Sequence, residues 1–308
     1  ALIQSFSFKE EDMNYSNSLS EDNYNAYARL ANAYTLVAES MMHNAHLRSH
    51  VEQMLKSALN LYKFADAKYN KAKAYTLQGD YYYQEKRYAD AIKSFRKAAE
   101  LGEKAFLEFE LEELKNRWIM ALIQHGKYKD AEKVLSEIRE TDTPTRTITG
   151  LKDALCNRAC IAIMKKDYTT AETLRKEADR RYHASMNSMN FYRLNVLRNF
   201  FDSFTLVARC YERQNEIGKS LQTYREMKEC LINTLGRYIP YYTDLDRTNM
   251  LYLFQPWYDE MQTFAYRHIN YEGMAEFMYG NAQLMKQFFL VSPTLYSPKM
   301  ITMQGDEY

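Results

Sequence analysis

The sequence predicts an all-α protein assembled from antiparallel helix pairs, and three observations carry that expectation. Of 308 residues only nine are Gly and five Pro, while Tyr (27), Met (16), Ala, Lys and Glu abound, so helix formers fill the chain and breakers are scarce. No segment sustains the β-branched alternation of a strand; "TRTITG" (145–150) is short, follows Pro144 and reads as a connector. A short motif also recurs, as "KRYADA" (86–91), "GKYKDA" (126–131) and "KDYTTA" (166–171), with a period of 40 residues.

Taken in order, residues 1–21 have no periodicity, lack the basic end and apolar core of a signal peptide, and are expected to form a flexible N-terminal segment. Residues 22–64 carry helical apolar periodicity without the motif, and residues 22–235 as a whole read as helical repeats. The first full copy places Gly79, Tyr82, Tyr88, Ala91, Phe95 and Ala98 at fixed spacing. Its small residues fit where two helices cross closely, and its aromatics fill the space around the crossing. The second copy offers Trp118, Leu122, Tyr128, Ala131, Leu135 and Ile138, with Gly126 in the turn between helices. The third offers Ala159, Ala162, Tyr168, Ala171 and Ala178, with Arg175 where an aromatic would be usual. The fourth runs through "FTLVARCYERQNEIGKSLQTYREM", with Ala208, Tyr211, Ile217, Ser220, Tyr224 and Met227 in register.

Punctuation fits this register. Gly102 and Gly236 are placed to end second helices, and Thr143–Pro144 and Gln255–Pro256 to begin helices with Pro in the first turn. The stretch 236–249, "GRYIPYYTDLDRTN", reads as an irregular loop, 250–291 as a C-terminal helical pair and 292–308 as a connector. A cut in the loop is expected to leave 22–235 largely folded, because stacked repeats depend mainly on their neighbours. The runs "YYY" (81–83) and "YIPYY" (238–242) offer tyrosines as interface anchors.

The first copy resembles the tetratricopeptide repeat (TPR) at the small and aromatic positions of that family, in a degenerate, long-helix version. The resemblance implies a right-handed α-solenoid whose first helices line a concave groove. By register the groove would present Lys73, Thr76, Asp80 and Tyr83, then Asn116, Met120 and Ile123, then Asp153, Cys156, Cys160 and Met164, then Arg209 and Arg213. Its expected guest is a protein or peptide. The Lys and Asn with which family members clamp a terminal carboxylate are replaced by Thr76 and Asp80, and the middle, from Met120 to Met164, is comparatively apolar. An amphipathic helix or extended segment suits such a groove better than an acidic tail.

The closing stretch "FMYGNAQLMKQFFLVSPTLYSPKMITMQGDEY" is similar to the junction where degenerate TPR arrays of bacterial proteins precede a caspase-like CHAT peptidase domain. Tyr279, Asn281, Ala282, Leu284, Lys286, the apolar Phe288–Leu290 and "QGDE" (304–307) carry the likeness, with Gly280 and Gln287 as departures. This implies a contiguous C-terminal effector domain, with this chain as its sensing array. Two other readings stay open: the sensor region of a bacterial signalling kinase or transcription regulator, and a stand-alone adaptor.

Composition narrows the functional classes. Forty-one Lys plus Arg against forty Asp plus Glu, without long single-sign runs, give no electrostatic case for nucleic acid or an anionic membrane. Cys156, Cys160, Cys210 and Cys230 read as free thiols in a reducing, cytoplasmic setting. Neither a phosphate-binding glycine loop, a Gly-x-Ser-x-Gly elbow nor His-Glu-x-x-His is present, so a non-catalytic protein without cofactor is expected. His43, His46 and His50 would share one helical stripe able to hold a divalent transition metal if the helix ran unbroken, but no carboxylate accompanies them.

Overall fold

The computed structural model describes residues 21–42, 44, 47–138, 148–186, 194–238 and 244–290, and all of its regular structure is helical. Twelve α-helices lie among these residues: α1 (Glu21–Met42), α2 (Val51–Leu61), α3 (Lys68–Gln84), α4 (Tyr88–Gly102), α5 (Glu108–Gln124), α6 (Tyr128–Ser136), α7 (Ile148–Met164), α8 (Tyr168–Met186), α9 (Leu194–Arg213), α10 (Ile217–Tyr238), α11 (Asp244–Arg267) and α12 (Met274–Leu290). Each odd-numbered helix packs on the even-numbered helix that follows it. Contacts of α3 with α1 and α5, of α5 with α7, of α7 with α9 and of α9 with α11 link the pairs.

Four of the turns within pairs share one geometry. Lys86 (φ 59°), Gly126 (φ 82°), Lys166 (φ 64°) and Asn215 (φ 61°) each adopt the left-handed conformation directly after a first helix. In each turn the following amide closes a wide loop back onto that helix: Arg87 donates to the Tyr82 carbonyl, Lys127 to Leu122, Asp167 to Ala162 and Glu216 to Tyr211, at 2.8–3.0 Å. This is a Schellman-type C-cap, which satisfies carbonyls that a helix end would otherwise leave orphaned. Only one of the four positions is Gly, which conceals the common joint in the sequence.

The motif residues pack as close helix crossings require. Ala91, Phe95 and Ala98 on α4 are buried. A Cβ on Gly79 would lie 2.5 Å from the Phe95 ring, so α3 and α4 could not approach as they do with a larger residue there. Tyr81 and Tyr82 are buried too, rather than offered as surface anchors.

Several sequence expectations are corrected. Gly236 lies inside α10 and does not end it. Pro256 lies inside α11, twelve residues from its start at Asp244, where buried Phe254, Trp257, Met261 and Phe264 on both sides hold the helix despite the missing amide donor. Only 239–243 of the expected 236–249 loop separates α10 from α11, and those residues lie outside the described ones, as do Thr143–Pro144 and 1–20 and 291–308. Ile148–Gly150 form the first turn of α7 rather than part of a connector. Of the histidine stripe only His50 is described, in a separate 3₁₀ turn (Arg48–His50) beyond α1; His43 and His46 lie outside the described residues.

Candidate functional site

An open groove of about 640 Å³ lies across α1, α3 and α5. Its floor is α3, its walls are α1 and α5, and its lining includes Leu36 and Glu39 from α1, Lys73, Thr76, Asp80, Tyr83 and Gln84 from α3, and Phe109, Glu113, Arg117 and Met120 from α5. Asp202 of α9 closes the inner end. Leu36 and Phe109 are large apolar side chains left open to solvent, at 65% and 37% exposure.

Charged rungs pin α3 to α5 beneath this opening. Arg117 Nη1 donates to Asp80 Oδ2 at 2.6 Å. Tyr69 Oη donates to Glu110 Oε1 at 2.7 Å, and Lys73 Nζ stands 3.7 Å from the same oxygen and 4.5 Å above the Tyr69 ring. Glu110 also accepts the Leu107 amide at 3.1 Å, one half of a capping box at the start of α5. Its partial burial works against ionisation, but these hydrogen bonds and the Lys73 charge outweigh it and hold the carboxyl below its ordinary value. The Lys73 ammonium is correspondingly raised, chiefly by Tyr69.

A polar junction adjoins the inner end. Arg209 of α9 donates to both oxygens of Glu260 on α11, and its Nη1 also reaches Tyr88 Oη at 2.9 Å and Gln124 Oε1 at 2.8 Å. Trp257 Nε1 donates to Asp202 Oδ1 at 2.8 Å, and Lys86 Nζ lies 3.8 Å from Glu260. Burial, then the Asp202 charge, pushes the Tyr83 phenol well above its ordinary value, so it stays protonated. Arg213 donates to the carbonyls of Ile123 and Gln124 at 2.9 and 3.0 Å and to Tyr128 Oη at 2.7 Å, capping the C-terminus of α5.

The expected groove residues therefore divide. Lys73, Thr76, Asp80, Tyr83 and Met120 come together in the groove. Asn116, Ile123, Cys156 and Cys160 do not reach it: all four are buried between helices. Asn157 Nδ2 donates to the Asn116 carbonyl and Oδ1 at 3.1 and 3.2 Å, tying α7 to α5. The reason is mutual packing of α5, α7 and α9, whose apolar first-helix faces bury Ile123, Cys160, Ile163, Leu206 and Val207 against one another instead of presenting them to a guest. Met164 is half-buried, its sulfur 3.6 Å from Gln214 Nε2; Arg209 and Arg213 are spent on internal bonds; and the Asp153 side chain lies outside the described residues.

Sequence reasoning missed the α1 wall, because the register of the repeat begins only at α3. Leu36 and Glu39 had a usable signal in the helical periodicity of 22–64, but no motif aligned them with Lys73 and Phe109. Burial, then Cys210, raises the Cys160 thiol well above its ordinary value, which keeps it protonated and inert. Among the described residues no group of three or more His, Cys, Asp or Glu converges as a metal site would, and no helix is long and apolar enough to cross a membrane. No protein-family model matches the chain, and no curated protein matches it significantly.

Proposed function

We propose that this chain is a non-catalytic, TPR-like α-solenoid that binds a protein or peptide segment in the groove walled by α1 and α5. One observation carries the reading: an open trough of about 640 Å³ lies across three successive first helices, with apolar side chains left uncovered at its rim and fixed polar groups along its floor. The four equivalent left-handed turns support the repeat architecture, since they impose the same reversal on each helix pair. The likeness of the closing stretch to CHAT junctions supports a role as the recognition array of a larger bacterial effector, in which occupancy of the groove would shift how the helix pairs stack on a following domain.

The test is a displayed library of randomised twelve-residue peptides presented to the full chain and to a Leu36→Ser/Phe109→Ser variant. Both substitutions sit at exposed positions and should leave the circular dichroism unchanged. Peptides retained by the parent and lost by the variant are expected; equal retention by both, or none by either, would overturn the reading.

A further inference from the structure

Outside the groove, one half-buried cation stands without a counter-ion. Lys228 of α10 lies where that helix meets α12, and its Nζ makes no hydrogen bond or ion pair among the described residues. It rests on Gly280: a Cβ there would lie 2.5 Å from Nζ, so the amine keeps this seat only beside a bare backbone. The Phe277 ring, one turn earlier on α12, has its centroid 5.6 Å from Nζ. Gly280 departs from the CHAT-like pattern of the closing stretch, and the departure makes room for Lys228.

Two charged groups face this amine. Arg225, one turn back on α10, has the same sign; Glu276 on α12 has the opposite sign, but its side chain is 85% exposed and stands 3.7 Å from Arg225 Nη2. Burial, then Arg225, holds the Lys228 amine below its ordinary value in spite of Glu276. A lysine that is desolvated and set beside another cation meets the condition that makes an amine nucleophilic. Asn281, next to Gly280, is fully buried, and neither its Nδ2 nor its Oδ1 finds a hydrogen-bond partner among the described residues.

We propose that Lys228, seated on Gly280 beside Asn281, is a site of Nε-acylation that takes its acyl group from a thioester. The amine lone pair attacks the thioester carbonyl carbon, a C–N bond forms as the C–S bond breaks, the thiolate leaves, and the nitrogen gives its extra proton to solvent. The product is an amide with one N–H and one carbonyl, the complement of the acceptor and donor that Asn281 leaves unpaired. An aldehyde would leave a neutral imine without that N–H, so an acyl group suits the seat better. Acylation also removes the charge that burial and Arg225 disfavour.

The test treats the full chain with a limiting amount of the acetyl thioester of cysteamine at neutral pH and reads the acetyl occupancy of each lysine by peptide mass spectrometry. Lys228 is expected to acquire acetyl about three-fold or more faster than Lys63 and Lys129, exposed lysines without an ion pair among the described residues. In Gly280→Ala the new Cβ displaces Nζ from its seat, while alanine suits a helix better than glycine and keeps the fold, so the preference should vanish. A smaller preference in the parent, or one that persists in a Gly280→Ala chain with unchanged circular dichroism, would overturn the assignment. The parent measurement decides by itself if that variant does not fold.

Discussion

Arg209 on α9 holds Glu260 on α11 in a two-pronged ion pair, Nε to Oε1 at 2.6 Å and Nη2 to Oε2 at 2.5 Å, with the two side chains only 18% and 6% exposed. A fork-on-fork pair with its remaining nitrogen bonded to Tyr88 and Gln124 satisfies nearly all of its donors, which is the condition under which a buried charge is tolerated. Tyr88 opens α4 and Gln124 closes α5, so the pair ties α9 and α11 to the helices of the first two motif copies.

Removing one partner should therefore be costly. Glu260→Gln leaves a buried guanidinium uncompensated and is expected to destabilise the fold by about 3–5 kcal/mol at neutral pH. Burial opposes ionisation of Glu260, but Arg209 overrides it and the carboxyl is lowered from 4.5. A depressed carboxyl contributes stability that is fully present above its unfolded value and is lost as pH falls through the lower folded value. Urea midpoints of the two proteins, followed by circular dichroism from pH 7 to pH 3, should thus converge below about 4.5. A gap that stays constant to pH 3 would show that Glu260 does not stabilise as a charge.

The four left-handed turns give a prediction of opposite sign at two equivalent positions. Gly126→Ala introduces a Cβ that meets nothing within 4 Å, so any loss is conformational, about 1 kcal/mol. Lys166→Gly relieves the same conformation in the next pair and should be neutral or stabilising by up to ~1 kcal/mol, since the added freedom of the unfolded chain offsets part of the gain. Thermal unfolding of both variants checks the pair of signs. Equal destabilisation would mean that Lys166 stabilises its turn through its side chain.

A fragment ending at Tyr238 should not keep its last helix pair. Phe201 meets Phe254 edge-to-face and packs tilted on Trp257, with ring centroids 5.7 and 5.0 Å apart, Tyr224 packs on Phe264 at 4.8 Å, and Arg209 would lose Glu260. Hydrogen exchange of the fragment is expected to show α9 and α10 unprotected while α3 to α6 stay protected. Full protection of α9 and α10 would restore the strictly segmental behaviour that the repeat pattern suggests.

The motif residues made the helices and the tight crossings legible, because Gly79, Ala91, Phe95 and Ala98 act on partners within one helix pair. Asn116, Ile123, Cys156 and Cys160 misled for the converse reason. Their exposure depends on how far successive pairs rotate, and that is set by Asn157, by the apolar faces of α7 and α9, and by contacts beyond the reach of a local pattern. Arg209 and Arg213 illustrate the limit: in sequence they resemble free groove cations, yet their partners lie 51 to 121 residues away. The α1 wall was hidden because Leu36 and Glu39 belong to a helix that follows the periodicity but not the motif.

The shared turn also orders the chain by length. The left-handed residues fall at 86, 126, 166 and 215, and the helices that precede the first two of them, α3 and α5, are each 17 residues long, whereas the helices that follow, α4 and α6, have 15 and 9. Between these two pairs the difference in length falls after the joint and before the next first helix. The joint fixes the reversal inside a pair, so exchanging a segment between two joints would keep that reversal but would also have to resupply the bonds that cross pairs, those of Arg209 and Asn157 among them.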